Sequence, residues 1–320
     1  MSQMAEIRTF FSGSSIDRRG ELRRDPAALA AAWNSADARF VPVWQARCLV
    51  RDGAAARLQR EEIDPWLPPA GRAIFLGCEG PRPLFAVALD SREEPGGLGT
   101  FAGLRELISG LPATEAALLG YARAMLNWHR HHRYCGACGA PSDALEGGFV
   151  LQCSAANCAH RSFPRLDPAI IVLVQQGECC LLGRQPSWPA QRFSAIAGFV
   201  EPGESLEDAA RREVLEETNI RIGECRYLAS QPWPFPSALM VGFHAHAESD
   251  DIRLNDAELA EARWLTRDEI AAGAVILPPR ASIAWKLIEA WFDTRPGWRL
   301  AELRQDGAFL RPAGQPPEAS

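Results

Sequence analysis

Residues 198–220 read GFVEPGESLEDAARREVLEETNI. The skeleton of this stretch is Gly198-x5-Glu204-x7-Arg212-Glu213-Val214-x-Glu216-Glu217-x-Asn219-Ile220. Ser205, with Asp208 three residues on, has the form of a capping box, which predicts a helix from Leu206 to about Thr218. On that helix Glu213, Glu216 and Glu217 stand at i, i+3 and i+4, so their carboxylates share one face. Carboxylates at this density repel one another and call for cations. Hard oxygen ligands suit Mg²⁺ or Mn²⁺, and magnesium shares its coordination with substrate phosphates. A site of this kind can activate water and neutralise charge on a leaving phosphate together. The alternative is a solvated acidic helix face, the common fate of an isolated glutamate cluster. The glycine, the upstream glutamate and the arginine at set offsets weigh against it.

The whole pattern resembles the Nudix box, G-x5-E-x7-R-E-U-x-E-E-x-G-U with U aliphatic. One position departs: Asn219 stands where that pattern has its last glycine. That glycine is expected to be a left-handed helix C-cap, and asparagine is the next best residue there. The resemblance implies an α/β/α sandwich around a mixed sheet, in which the box forms a loop-helix-loop holding divalent metal against a diphosphate. It implies that Glu213 and Glu217 are metal ligands and that Glu216 is a ligand or the general base. Arg212 would orient a glutamate by a charge-assisted bond.

Downstream, residues 230–238 read SQPWPFPSA. The alternating prolines stiffen the backbone, so Trp233 and Phe235 have little freedom left to lose on binding. Rigid aromatics stack on flat rings, at about 1–3 kcal/mol per base. The alternative is a proline-stiffened surface loop whose aromatics are core. The tract resembles the SQPWPFPxS signature of the NADH pyrophosphatase branch of the Nudix hydrolases, with Ala238 where the last serine is usual. By that resemblance Gln231, Pro232, Trp233, Pro234, Phe235, Pro236, Ser237 and Ala238 form a substrate-binding segment. Glu258, ahead of Glu261 and Trp264, would supply a further metal ligand; Glu261 reads as exposed acidic surface. Residues 163–168, FPRLDP, resemble Y-P-R-x-D-P of the same branch, with Phe163 keeping the stacking face and losing the hydroxyl. Phe199 is a further stacking candidate, and Ala284 matches a small substrate-contact position. Ile16-Asp17-Arg18 and Glu21-Leu22-Arg23 are short additional matches. The resemblance implies NADH or NAD as substrate, AMP and NMNH or NMN as products, and a homodimer.

Upstream of the box lie four cysteines with the spacing Cys135-x2-Cys138-x14-Cys153-x4-Cys158. Four thiolates at two short spacings suit tetrahedral zinc, and a closed four-sulfur site is structural. Residues 131–164 have few apolar side chains, so metal binding would supply their folding energy. His160 reads as a surface residue. Removal of an NAD cap from RNA is a close alternative, because the bond cut is the same. A non-catalytic nucleic-acid-binding module built on the zinc ribbon is the alternative of another class. The formal net charge of −6 argues against general electrostatic binding to nucleic acid.

The expected organisation is an N-terminal α/β domain over residues 1–130, a zinc ribbon over 131–164, the Nudix domain over 165–300, and a disordered tail over 301–320. In the first domain Asp25-Pro26 opens a short helix. Phe40 to Val50, Ala73 to Leu76 and Leu84 to Leu89 read as strands, and a helix runs from Thr114 to about His129. The run Trp128-His-Arg-His-His-Arg133 reads as a solvated helix end. In the last domain Ala169 to Val174, Glu178 to Leu182 and Leu239 to His246 read as strands. Phe193 to Gly198 leads into a loop, and Ser282 to Phe292 is a helix. Hydrophobic residues make up 47% and no apolar run reaches membrane-helix length, so a cytoplasmic globular protein with no membrane partner is expected. Nine cysteines in such a compartment favour metal or core thiols over disulfides.

Overall fold

A computed structural model describes residues 7–255 and 258–303. All but the first three residues of the expected tail lie outside this range. The chain divides into two compact units. One is built from Phe11–Leu166 together with Trp233–Ser237; the other contains Asp167–Pro232 and the chain from Ala238 onward, with the segment ending at Phe10.

The second unit is organised by the strand Asp167–Gln176. Its run of branched aliphatics is buried on both faces, as a central strand requires. Ile170, Val172 and Val174 pack with Ala209, Ala210 and Val214 of the box helix, Leu206–Thr218. Ile171 and Leu173 point the other way and pack with Trp285, Ile288 and Trp291 of the terminal helix, Ile283–Phe292. This alternation is the two-residue period of a strand. The central strand pairs in parallel with Ala238–Ala247 and antiparallel with Cys179–Arg184 and Ile196–Phe199. Glu261–Thr266 pairs with Cys179–Arg184, and Ile222–Trp233 flanks Ala238–Ala247 at the other edge. The result is a six-stranded mixed sheet between two helices, the α/β/α sandwich expected.

Two strand readings change. Ile222–Trp233 has no counterpart in the sequence reading. It is an edge strand whose charged residues break the apolar alternation. Phe193 to Gly198, read as leading into a loop, runs into the strand Ile196–Phe199, which takes up its last three residues.

In the first unit Asp25 caps the helix Pro26–Asn34, its Oδ1 accepting from the amides of Ala27 at 2.9 Å and Ala28 at 3.0 Å. The stretch Phe40 to Val50, expected as one strand, is a hairpin of Arg39–Trp44 and Arg47–Arg51. Gln45 and Ala46 make its turn with φ of 47° and 61°. Two left-handed residues give the twist a tight hairpin needs, but neither is the usual Asn-Gly pair, so the turn left no signal. These strands join a six-stranded sheet backed by the helix Ala113–His131. The end of that helix, expected to be solvated, is partly packed. His129 Nε2 lies 2.7 Å from the Gly148 carbonyl, and burial lowers its pKa. His131 and His132 cap the Asn127 and Trp128 carbonyls through Nδ1. The four-cysteine segment carries a three-stranded sheet of Ser142–Leu145, Val150–Cys153 and Arg161–Ser162.

Candidate active site and metal centre

The box helix begins where its capping residues dictate. Ser205 Oγ accepts from the Asp208 amide at 3.1 Å and donates to the Asp208 carboxylate at 2.7 Å. It ends at Asn219, whose φ of 64° is left-handed and whose N–H donates to Leu215 O at 2.8 Å. The Asn219 side chain also donates to Asp251 O at 3.1 Å, a bond glycine could not make.

Arg212 organises the acidic groups. Its Nε and Nη2 donate to the two oxygens of Glu204 at 2.5 Å and 2.9 Å, a bidentate pair. Nη1 donates to Glu213 at 2.9 Å and to Glu216 at 3.1 Å, and Nη2 also reaches Phe199 O at 2.9 Å. The hydrogen bond from Arg212, with that from the Glu201 amide, draws the Glu204 carboxyl down to about 2. The Arg212 guanidinium is held protonated beyond its ordinary range. Glu204 is thus the residue the sequence reading under-used: it appears in the box pattern, yet no role followed from it.

Glu213 is raised above the usual carboxylate range, first by burial and further by the charges of Glu216 and Glu258. Gly198 lies against it. A Cβ at that position would sit 1.9 Å from the Glu213 carboxyl carbon and 2.0 Å from its Oε1. The first box position is glycine here because the strand Ile196–Phe199 must give way to this carboxylate. Glu217 is 5% exposed, on the core side of the helix. Glu216 is the exposed member, with 55% of its side chain open.

Glu258 is exposed, but the next residue anchors it. Leu259 is buried in the core beneath the box helix, over Gly183, where a Cβ would meet Leu259 Cδ1 at 2.9 Å. The Ala260 amide donates to Arg184 O at 2.8 Å. Glu261 is half-buried and 3.7 Å from Arg184. Among the described residues these carboxylates do not converge as tightly as the four cysteine sulfurs do. Glu213 and Glu216 share Arg212 Nη1, and Gly198 leaves room beside Glu213, so the hard oxygen donors are of the kind that suit divalent metal ions.

The remaining candidates are divided between the two units. Phe199 is 61% exposed and Phe163 is 49% exposed, each within its own unit. Ala284 is buried in the terminal-helix core, and buried Ala238 pairs with Asp167. Gln231 is fully buried. Its amide donates to Phe10 O at 3.1 Å and Ala281 O at 2.8 Å and accepts from the Ile283 amide at 2.7 Å. Pro232 and Pro236 are exposed, Ser237 is half-exposed and Pro234 is buried. Trp233 and Phe235 meet edge to face at 5.0 Å between centroids.

The four sulfurs of Cys135, Cys138, Cys153 and Cys158 all lie within 4.8 Å of one another. The Cys135–Cys158 and Cys138–Cys153 separations are 3.9 Å and 3.4 Å. Tetrahedral zinc with Zn–S bonds of about 2.3 Å requires sulfurs roughly 3.8 Å apart. The amides of Ala137 and Ala155 point at Cys135 and Cys153 Sγ at 3.4 Å, which favours thiolate. The cluster is a structural zinc site, and His160 is exposed outside it.

Three family descriptions match the chain: a NUDIX domain over residues 164–289, an NADH pyrophosphatase-like rudimentary NUDIX domain over 37–128, and an NADH pyrophosphatase zinc ribbon domain over 130–163. The NAD-capped RNA hydrolase NudC of Mycobacterium bovis is 40% identical over 294 residues, covering 86% of this chain and 92% of its own. The NAD-capped RNA hydrolase NUDT12 of Homo sapiens is 39% identical over 201 residues, covering 58% of this chain and 44% of its own. A NUDIX hydrolase crystal structure from Nitrosomonas europaea superimposes with a TM-score of 0.41 at 23% identity, covering 51% of this chain and 92% of that one.

Proposed function

Because the chain belongs to the NADH pyrophosphatase family of Nudix hydrolases, we propose that it cuts the pyrophosphate of NADH or NAD to AMP and NMNH or NMN, and that it removes an NAD cap from RNA by the same cleavage. The observation that carries this reading is the Arg212 network, in which one guanidinium holds Glu204, ahead of the box helix, together with Glu213 and Glu216 on it. Glu213, Glu217 and Glu258 would hold Mg²⁺ or Mn²⁺, with Glu216 as a further ligand or the base. Bound there, such ions supply charge neutralisation at the phosphates and a more acidic water. Glu216, the most open of the box glutamates, is suited to accept the proton of the attacking water. Arg212 keeps Glu213 and Glu216 oriented for these tasks.

Phe163, Phe199 and Trp233 are the rings assigned to grip a base. The segment Gln231–Ala238 and Ala284 are the further residues that the family pattern assigns to substrate contact. Within that segment, Gln231 acts as the internal brace, since all its bonds go to backbone. The domains follow as residues 1–130, 131–164 and 165–300. A homodimer in the cytoplasm is the expected working form. Among the described residues no helix is long and apolar enough to cross a membrane.

The deciding experiment incubates the purified protein with Mg²⁺ or Mn²⁺ and, separately, NADH, NAD, ADP-ribose and NAD-capped RNA, and identifies products. AMP from NADH or NAD and a 5′-monophosphate RNA are expected. No AMP from any dinucleotide ends the reading. Glu217→Gln should abolish turnover; if it leaves RNA binding intact where wild type never hydrolysed, the protein is a binding module.

A further inference from the structure

The segment Trp233–Ser237 is held by residues to which neither composition nor resemblance assigned chemistry. The helix Ala113–His131 places Gly120 and Arg123 one turn apart on the same face. Arg123 Nη1 donates to Pro234 O, its Nε donates to Ala46 O at 3.2 Å, and its guanidinium lies 5.4 Å from the Phe235 ring centre. A Cβ on Gly120 would stand 3.2 Å from Phe11 Cδ1 and 3.3 Å from Pro234 Cγ. Glycine weakens a helix interior, and here its missing side chain is the seat for both groups.

Phe11 is buried with a φ of 66°, a left-handed conformation that a bulky residue rarely adopts. Its ring meets Trp233 edge-on at 6.3 Å and Phe235 at 5.9 Å. The Arg105 guanidinium lies 4.1 Å from the Phe235 centroid and 5.7 Å from that of Trp233. Strained backbone that persists at a packed site marks a position the surroundings over-determine.

We propose that Arg123 is a positioning residue for the hydrolysis reaction. With Gly120, Phe11 and Arg105, all in the same unit, it fixes the conformation of the Trp233–Phe235 loop and so sets the affinity for the dinucleotide. The inference rests on the reading of that loop as substrate-facing. Arg123 touches no reacting atom. It stiffens the loop before substrate arrives, which lowers the ordering cost of binding. Loss of the guanidinium fork therefore weakens binding and leaves the chemical step intact, and lysine, a point donor, only partly replaces it.

The test uses the full chain. Arg123→Ala should raise KM for NADH about tenfold with kcat within about twofold, and Arg123→Lys should fall between. In a Trp233→Ala background the added loss in kcat/KM should shrink below about twofold, because both changes disable one device. Hydrogen exchange of the peptide spanning 230–238 should quicken in Arg123→Ala and Arg123→Lys, while that of 206–218 stays as in wild type. An equal loss in both backgrounds, or unchanged exchange of 230–238 in both variants, overturns the proposal. Wild-type protein inert toward NADH would overturn the functional reading instead, and the exchange measurement would still decide the clamp.

Discussion

At the scale of the residue, Arg212 bears the most chemistry per atom. It answers Glu204 with two parallel bonds and still reaches Glu213, Glu216 and a carbonyl. Lysine cannot reproduce a planar fork. Arg212→Lys is expected to cost about 10–100-fold in activity or metal affinity, the usual loss when a partner of metal ligands is removed. Steady-state kinetics across a Mn²⁺ titration measures it, and an unchanged apparent metal affinity with full kcat would count against the role. Gly198→Ala makes a second residue-level case. The added carbon collides with the Glu213 carboxylate, so the variant should fold yet lose most activity by displacing that side chain. A thermal melt within a few degrees of wild type, alongside turnover near background, is the expected pair of results.

At the scale of the element, the box helix is short and depends on its ends. Asn219 is its left-handed terminus. Asn219→Ala should cost about 1–2 kcal/mol, the penalty for a Cβ-bearing residue without a local hydrogen bond in that region. Asn219→Gly should be close to neutral, trading the bond to Asp251 for freedom in φ. Urea unfolding of the three proteins checks the order. This helix was legible in full from the chain because its caps, its period and its carboxylates all agree. The central strand was legible for a similar reason, since a run buried on both sides is uninterrupted. The hairpin turn at Gln45–Ala46 and the edge strand Ile222–Trp233 were not, because left-handed turns can form without glycine and edge strands lack a clean alternation. The site divided along the same line. Motif spacing pointed to the glutamates and cysteines, whereas the packing of Gly198 on Glu213 and of Leu259 on Gly183 depends on contacts between distant segments.

At the scale of the whole molecule, two features tie stability to conditions. The zinc segment has almost no core of its own, so the metal is a folding partner. Cys138→Ser should lower zinc content well below one per chain by atomic absorption and destabilise residues 131–164 to proteolysis. His244 gives a pH dependence. Burial lowers its pKa from 6.5 to about 4, and its Nε2 lies 2.9 Å from Leu287 O. The unfolded chain takes up this proton near pH 6.5, and the folded chain only near pH 4. Between those values the unfolded state binds more protons, so stability is full above 6.5 and is lost as pH falls toward 4. The contribution at stake is about 3 kcal/mol. His244→Gln should flatten this part of the profile in urea unfolding at pH 7 and pH 4.5.

The buried Leu259 has a consequence for how the catalytic inventory would look under saturation mutagenesis. An aliphatic side chain that never meets a nucleotide would register as intolerant to change as the acids themselves. If Glu258 is a ligand as proposed, truncating Leu259 would free the adjoining carboxylate to move, and its displacement, rather than any missing charge, would then lower turnover.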